Sequence, residues 1–321
     1  MVSGARNYDG GMSIFPSSRR RVIAALATIL TLLLLPACSP AATQGSGKPV
    51  VLTTFTVIAD MARQVAGDHL EIRSITKPGA EIHDYEPTPD DIKAAAGADL
   101  ILANGLGLER WFEQFTAGSD APSVTLSQGI TPIEIASESY AGQPNPHAWM
   151  SPTHAQSYVD TMATAFAELD PDHAADFQAN AVAYKADLQA VKDELVAAIA
   201  PLPADQRVLV TCEGAFSYLA ADAGLEEGYL WPVNAENEGT PQQIADTVNL
   251  VRSRSVPAVF CESTVNDKAM RQVVSETGAT FGGTLYVDSL TDAQGEAPSY
   301  LALIRHDAAV IAQGLTGGKQ Q

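Results

Sequence analysis

Residues 172–200 read DHAADFQANAVAYKADLQAVKDELVAAIA, a run of 29 without glycine or proline, bounded by Pro171 on one side and by Pro201 and Pro203 on the other. At 1.5 Å per residue a helix over this run is about 43 Å long, enough to cross a two-lobed protein from end to end. The pattern on either side makes it a bridge. Upstream, strands are predicted at Val50–Thr54, Leu70–Ile75 and Asp99–Ala103, and helices at Val57–Ala66, Pro89–Ala96 and Leu108–Phe115. Thr88 stands as N-cap before Pro89, the one place in a helix where a missing N–H costs nothing. Ala117 to Pro146 is loop-rich, and Thr153–Leu169 is a further helix. Downstream the alternation resumes. Strands are predicted at Arg207–Thr211, Tyr229–Val233, Ala258–Phe260 and Thr284–Val287. Helices are predicted at Ala215–Ala223, Pro241–Arg254 (with Thr240 as N-cap), Asp267–Thr277 and Pro298–Leu315. Strands alternating with helices at this spacing build parallel βαβ units. The predicted fold class is therefore α/β: two βα lobes with parallel sheets joined by one long backbone helix. The boundaries are 49–170 for the first lobe, 171–201 for the helix and 202–321 for the second lobe.

The chain ahead of the first lobe is different in kind. Residues 1–37 hold Arg6, Arg19, Arg20 and Arg21 against one acid, Asp9, and the three consecutive arginines precede an apolar run of 16, Val22 to Ala37. A bilayer span needs about 20 apolar residues, so the run is short for a transmembrane helix. A basic stretch followed by a short apolar one is the layout of a secretory signal peptide. Met1 and Met12 are both possible starts. The run closes on Leu35-Pro36-Ala37-Cys38, which resembles a bacterial lipobox, with Cys38 as the lipid-modified new N-terminus. Ser39 to Lys48 is rich in Ser, Pro, Gly and Gln and reads as a tether. The expectation is an exported protein, lipid-anchored to the outer face of the bacterial cytoplasmic membrane, at the cell surface or in a periplasm. The chain carries −19 overall. Residues 1–37 contribute +3, so the remainder stands at −22. Phosphate backbones bind to clustered positive charge, so nucleic acid is excluded as a partner. Cations suit this balance better.

Three cysteines less Cys38 leave Cys212 and Cys261, each at the end of a predicted buried strand. Exported proteins meet oxidising conditions. If the two strands are neighbours, their ends fall within disulfide reach, about 4.4–6.8 Å between Cα atoms. Otherwise the pair are buried thiols, which are ordinary core residues.

In open α/β sheets ligands bind beyond the carboxyl ends of strands. Four candidate metal ligands stand in such places. His83 lies in Gly79-Ala80-Glu81-Ile82-His83-Asp84-Tyr85-Glu86-Pro87, after a strand. His147 lies in Asn145-Pro146-His147-Ala148-Trp149, leading into a helix. Glu213 follows the strand ending at Cys212, and Asp288 the strand ending at Val287. Singly, each has an ordinary structural explanation, such as a histidine among prolines or a carboxylate capping the next helix. His69, His154, His173 and His306 read as surface groups. Trp149 and Trp231 read as packing around the cleft, and Asp84 and Glu236 as outer or surface groups.

Taken together, Asn104-Gly105 with Glu109 and Trp111, Pro146-His147-Ala148-Trp149, Glu213-Gly214-Ala215-Phe216, Glu238-Gly239-Thr240-Pro241 and Asp288-Ser289-Leu290 extend the His83-x-Tyr85-x-Pro87 segment into a recognisable set. From about Lys48 to Leu315 the chain resembles the metal-binding lipoproteins of bacterial ABC importers, the cluster A-I or cluster 9 solute-binding proteins. The resemblance implies a metal site in the interlobe cleft with His83, His147, Glu213 and Asp288 as ligands. It also implies a membrane permease and a cytoplasmic ATPase as partners. One departure is Glu81-Ile82, where many members carry Asp-Pro. Zinc-specific members generally place a histidine third and carry a His-rich acidic loop. Here the third ligand is Glu213, and Phe115 to Pro146 holds only His-free sequence. The resemblance therefore falls on the manganese and iron subgroup, and carboxylate oxygens suit Mn²⁺. Mn²⁺ is the expected cargo, with Zn²⁺ or Fe²⁺ as alternatives, because the Irving–Williams order favours zinc at most N/O sites. The expected function is capture and delivery of the ion, without enzymatic activity. Two rivals are a metallohydrolase and an adhesin on the same fold. A hydrolase needs an open coordination position and a base, and no His-Glu-x-x-His spacing is present.

Overall fold

The long run folds as helix over most of its length in a computed structural model, which describes residues 47–112, 121–136, 140–233 and 239–317. The expected signal peptide, Cys38, most of the tether, Glu236 and Glu238 lie outside the described residues. The first half carries β1 (Val50–Thr53), α1 (Thr56–Ala66), β2 (Glu71–Ser74), α2 (Pro89–Ala96), β3 (Leu100–Ala103) and β4 (Ser123–Thr125). Its strands form one parallel sheet in the order β2-β1-β3-β4. Alternate residues bury on opposite faces. Val51, Leu100 and Leu102 join one apolar cluster with α1, while Leu52 and Ile101 join another with Ala95 of α2.

α3 (Pro152–Leu169) and α4 (Ala174–Ile199) follow. α4 has 26 residues, about 39 Å at 1.5 Å each. It buries Phe177, Ala181, Tyr184, Leu188, Val191, Leu195 and Ile199, a stripe at helical spacing, against α1, α3 and a C-terminal helix. The expected start at Asp172 is corrected. Pro171–His173 is a separate 3₁₀ turn, because Asp170 holds His173 Nδ1 at 2.7 Å and so favours a tight turn over the first helical one.

The second half carries β5 (Val208–Glu213), α5 (Ser217–Ala223), β6 (Glu226–Trp231), α6 (Pro241–Arg254), β7 (Ala258–Glu262), α7 (Lys268–Thr277), β8 (Thr280–Leu285) and α8 (Tyr300–Thr316). β5 pairs with β6 and β7 with β8, both in parallel, and β5 lies beside β7. The described residues from Lys48 onward form one compact unit, and the main apolar cluster runs from Val51 and Phe166 through α4 to Phe260 and Ile304. The two halves thus share a core along the helix.

Several boundaries move. β4 falls in the stretch read as loop. Of the helix expected over Leu108–Phe115, Leu108 and Glu109 form a turn, residues 110–112 are helical and 113–115 lie outside the described residues. β6 begins at Glu226, three residues before the predicted strand, because its acids find partners within the fold. β8 begins at Thr280 rather than Thr284 and includes Gly282-Gly283, a poor strand signal. Gly282 is there for close approach, since a Cβ on it would lie 2.3 Å from the Phe260 ring. His83 does not directly follow a strand, since β2 ends nine residues earlier. Asp288 comes three residues after β8 rather than directly after it.

Candidate metal centre

His147 is positioned by Asn145. Asn145 Oδ1 accepts from the His147 backbone N–H at 3.0 Å and lies 2.8 Å from His147 Nδ1. The orientation of that amide is fixed independently, because Asn145 Nδ2 donates to Gly214 O at 2.6 Å. A carbonyl oxygen only accepts, so His147 Nδ1 carries the proton and Nε2 is bare. Asn145 is itself held in its loop by neighbours. Asn104 Nδ2 donates to Pro146 O at 3.0 Å, and Glu109 fixes Asn104 and Gly105 through their backbone N–H groups at 2.5 and 3.0 Å. Trp149 packs beside the imidazole and donates from Nε1 to Val287 O at 3.1 Å.

The other three candidate ligands approach from loops and strand ends. Glu81 accepts from the backbone N–H of both Ile82 and His83 at 2.9 Å, and Trp111 Nε1 donates to Ile82 O at 2.9 Å, which shapes the His83 turn. Glu213 ends β5, and its N–H donates to Glu262 Oε2 at 3.1 Å. The Gly after it is required by crowding, since a Cβ on Gly214 would sit 2.9 Å from Pro232 O. Asp288 leaves β8 through Tyr286, whose N–H donates to Asp307 Oδ1 at 2.9 Å. Ser289 Oγ then accepts from Gly79 N–H at 2.7 Å, and Leu290 N–H donates to Thr56 Oγ1 at 3.0 Å.

These elements bring all four sequence-predicted ligands together, with one donor atom from each within 4.8 Å of the others. His83 Nε2 lies 3.1 Å from His147 Nε2, 3.3 Å from Glu213 Oε1 and 3.8 Å from Asp288 Oδ1. His147 Nε2 lies 3.5 Å from Glu213 Oε1 and 3.8 Å from Asp288 Oδ1. Four donors each about 2.1 Å from one ion stand about 3.4 Å apart in a tetrahedron. The nest therefore already has the size of a coordination shell. The side chains of His147, Glu213 and Asp288 are closed off, and only His83 retains exposure, at 8%.

Electrostatics agree with that size. Burial lowers the pKa of both imidazoles, and the neighbouring His83 lowers His147 further. Burial pushes Asp288 well above the carboxylate range, helped by the fields of Glu81 and Glu262. Both Asp288 oxygens are buried without a hydrogen bond. Two neutral imidazoles and two buried carboxylates match one divalent cation in charge, and a buried carboxylate is costly until paired.

The remaining histidines lie elsewhere. His69 pairs with Asp176 at 3.0 Å and stacks on His173, His154 meets Tyr218 edge-on, and His306 contacts Thr284 O. Trp231 is buried at the end of β6, and Asp84 is exposed. A second donor cluster, Cys212, Cys261 and Glu262, holds its cysteines in a disulfide with Cα atoms 4.8 Å apart. The sequence reading missed Asn145, Glu262 and Asp307. Asn145 was signalled by its two-residue spacing to His147. Glu262 was signalled by the repeated Cys-Glu at strand ends, Cys212-Glu213 and Cys261-Glu262. Asp307 had no local signal.

Two parallel α/β halves on one long helix, with a closed nest of two imidazoles and two carboxylates between them, define a class of solute-binding protein for metal ions. The chain belongs to the family described as zinc-uptake complex component A, periplasmic, whose model matches residues 51–314. It is similar to the iron-binding protein YfeA of Yersinia pestis, 51% identical over 82% of this chain and 85% of that one. It is also similar to the manganese ABC transporter substrate-binding lipoprotein PsaA of Streptococcus pneumoniae, 31% identical over 92% of this chain and 99% of that one. Among solved structures, the Mn-bound periplasmic metal binding protein from Candidatus Liberibacter asiaticus superimposes with a TM-score of 0.78 at 36% identity, covering 84% of this chain and all of that one.

Proposed function

We propose that the protein captures a divalent transition metal outside the cytoplasm, Mn²⁺ foremost, and hands it to an ABC permease driven by a cytoplasmic ATPase. The observation that carries this reading is the closed nest of His83, His147, Glu213 and Asp288 at coordination distances. The ion is cargo, and the protein is a carrier rather than an enzyme. Residues 49–170 and 202–321 act as two lobes on a backbone helix over 171–201. Cys38 carries the lipid that keeps the loaded carrier at the membrane, a reading supported by the lipobox-like segment and by the lipoprotein naming of the streptococcal relative. Oxygen donors in half the shell favour Mn²⁺ and Fe²⁺ over a softer cargo. Fe²⁺ is the second reading, favoured by the iron-binding name of the Yersinia relative.

The test is elemental analysis of the full chain after stripping and anaerobic reloading with equal Mn²⁺, Fe²⁺ and Zn²⁺, paired with metal uptake by cells lacking the gene. One ion per chain, lost in His147→Ala and Asp288→Ala, with a manganese uptake defect, is the expected result. An iron defect moves the cargo to Fe²⁺. Zinc bound in vitro with a manganese defect in cells assigns selectivity to the permease step. A protein that takes up no metal sinks the reading.

A further inference from the structure

The hydrogen bond that orients His147 does not stop at Asn145. The amide that accepts from His147 Nδ1 donates from Nδ2 to Ser217 Oγ at 3.1 Å, at the first turn of α5. Ser217 Oγ in turn makes a short hydrogen bond to Glu227 Oε2 on β6. Glu227 Oε1 accepts from Phe216 N–H at 3.0 Å. The direction of every donor is forced. Amide nitrogen only donates, so Ser217 Oγ accepts from Asn145 and its own hydrogen is left for the carboxylate. Three hydrogen bonds in series therefore point the same way, from the imidazole to an anion. Both Asn145 amide hydrogens are used, one on Gly214 O and one on Ser217 Oγ, so the amide is locked and cannot flip without stranding two partners.

Glu227 is half-buried on β6, and drawing a carboxylate away from water carries a desolvation cost. Of the two bonds that offset it, the Phe216 N–H bond ties Glu227 to the start of α5, and the Ser217 bond leads on to His147. Hydrogen bonds in series polarise one another, and outer partners of a ligand histidine fix its tautomer and raise its basicity.

We propose that Glu227 is a positioning residue for metal capture: through Ser217 and Asn145 it holds the His147 imidazole with Nε2 bare and makes that nitrogen a stronger donor. The proposal rests on the metal-centre reading. It concerns a residue 14 positions beyond Glu213 that no motif singles out.

The experiment uses the full chain at about pH 8, because burial raises Glu227 to about 7 and the carboxylate must be ionised. Glu227→Gln removes the charge, and Ser217→Ala breaks the series while leaving the charge in place. Mn²⁺ affinity is read by chelator competition, and the His147 ring nitrogens by ¹⁵N NMR in the metal-free and Zn²⁺-loaded states. Each variant is expected to weaken Mn²⁺ binding about tenfold, the lower end for outer-shell partners. Each also shifts the His147 nitrogen signals, and the double variant is no worse than either single one, because both cut one series. Wild-type affinity in both variants, with His147 signals unmoved, overturns the proposal. So does weaker binding with unmoved signals or additive losses, which marks Glu227 as a packing residue only. His147→Ala is run alongside. If it keeps wild-type affinity, the metal-centre reading falls and takes the proposal with it, an outcome distinct from failure of the Glu227 variants alone.

Discussion

Glu213 and Asp288 bring two fully buried carboxylates into the nest, and its protonation chemistry follows from that. Without a cation, burial makes protons the alternative partner, which is why Asp288 stands well above its ordinary range. Metal binding must then release protons. Affinity for Mn²⁺ is expected to fall about tenfold or more from pH 8 to pH 6, read by chelator competition. Removing Asn145, which fixes the His147 tautomer, is expected to weaken binding 10–100-fold, about the loss seen for other outer partners of ligand histidines. Asn145→Asp is the sharper variant, since it keeps the acceptor for Nδ1 but loses the donors to Gly214 and Ser217. Glu262 gives a separate signature in stability. Burial lifts it from 4.5 to about 8, so its neutral form belongs to the folded protein. A raised carboxylate contributes stability that is complete below its unfolded pKa and disappears as pH rises through its folded one. Relative to the wild type, metal-free Glu262→Gln is therefore expected to gain in melting temperature as pH rises from about 5 to 8. A difference in melting temperature between variant and wild type that stays constant over that interval refutes this account.

At the scale of elements, the parts legible in the sequence are those whose signals are local. α2 and α6 start where expected because Thr88 and Thr240 each complete a capping box, with Asp91 and Gln243 returning the hydrogen bond and Pro89 and Pro241 opening the helix. α4 was legible as an unbroken run between prolines. The four candidate ligands, which the fold brings together, were legible because each sits in a short motif at a turn or strand end. What stayed hidden depends on partners far along the chain. β6 begins on Glu226 and Glu227, which argue against a strand until Arg254 and Ser217 are placed beside them. β8 contains two glycines that make sense only once Phe260 lies across the first. The Cys212–Cys261 pairing required knowing that β5 and β7 are neighbours. That bond closes a loop of 49 residues, and the chain-entropy account gives about 4 kcal/mol for it. Replacing both cysteines by alanine is expected to lower the denaturant midpoint accordingly. Because Glu213 and Glu262 immediately follow the two cysteines, it is also expected to weaken metal binding.

At the scale of the whole molecule, the candidate ligands form two cross-linked pairs. The His147 segment is tied to the Glu213 segment by Asn145 on Gly214 O, by Tyr218 Oη donating to Asn145 O at 2.8 Å and by Ser151 Oγ donating to Asp222 at 2.6 Å. Lys192 of α4 reaches Asp222 at 3.2 Å, so the connecting helix joins that clasp. On the other side, Gly79 and Thr56 tie the His83 half to Ser289 and Leu290 beside Asp288. α4 runs beneath both in a shared apolar core. A wide hinge motion would have to break both clasps and bend a continuous helix, so opening at the exposed His83 turn is the smaller perturbation. Metal binding should accordingly stabilise without reshaping. At free Mn²⁺ about 100-fold above Kd, mass action supplies about 2.7 kcal/mol, which for a chain of this size corresponds to a rise in Tm of about 4–5 °C. Small-angle scattering of the metal-free and loaded protein is expected to superimpose, with the radius of gyration moving by less than about 1 Å, whereas hinge-closing carriers shift by more. A contraction of several ångströms on loading would show that the clasps open in the empty state and that α4 is not a rigid strut. Unchanged scattering together with the thermal shift would confine capture to the His83 turn.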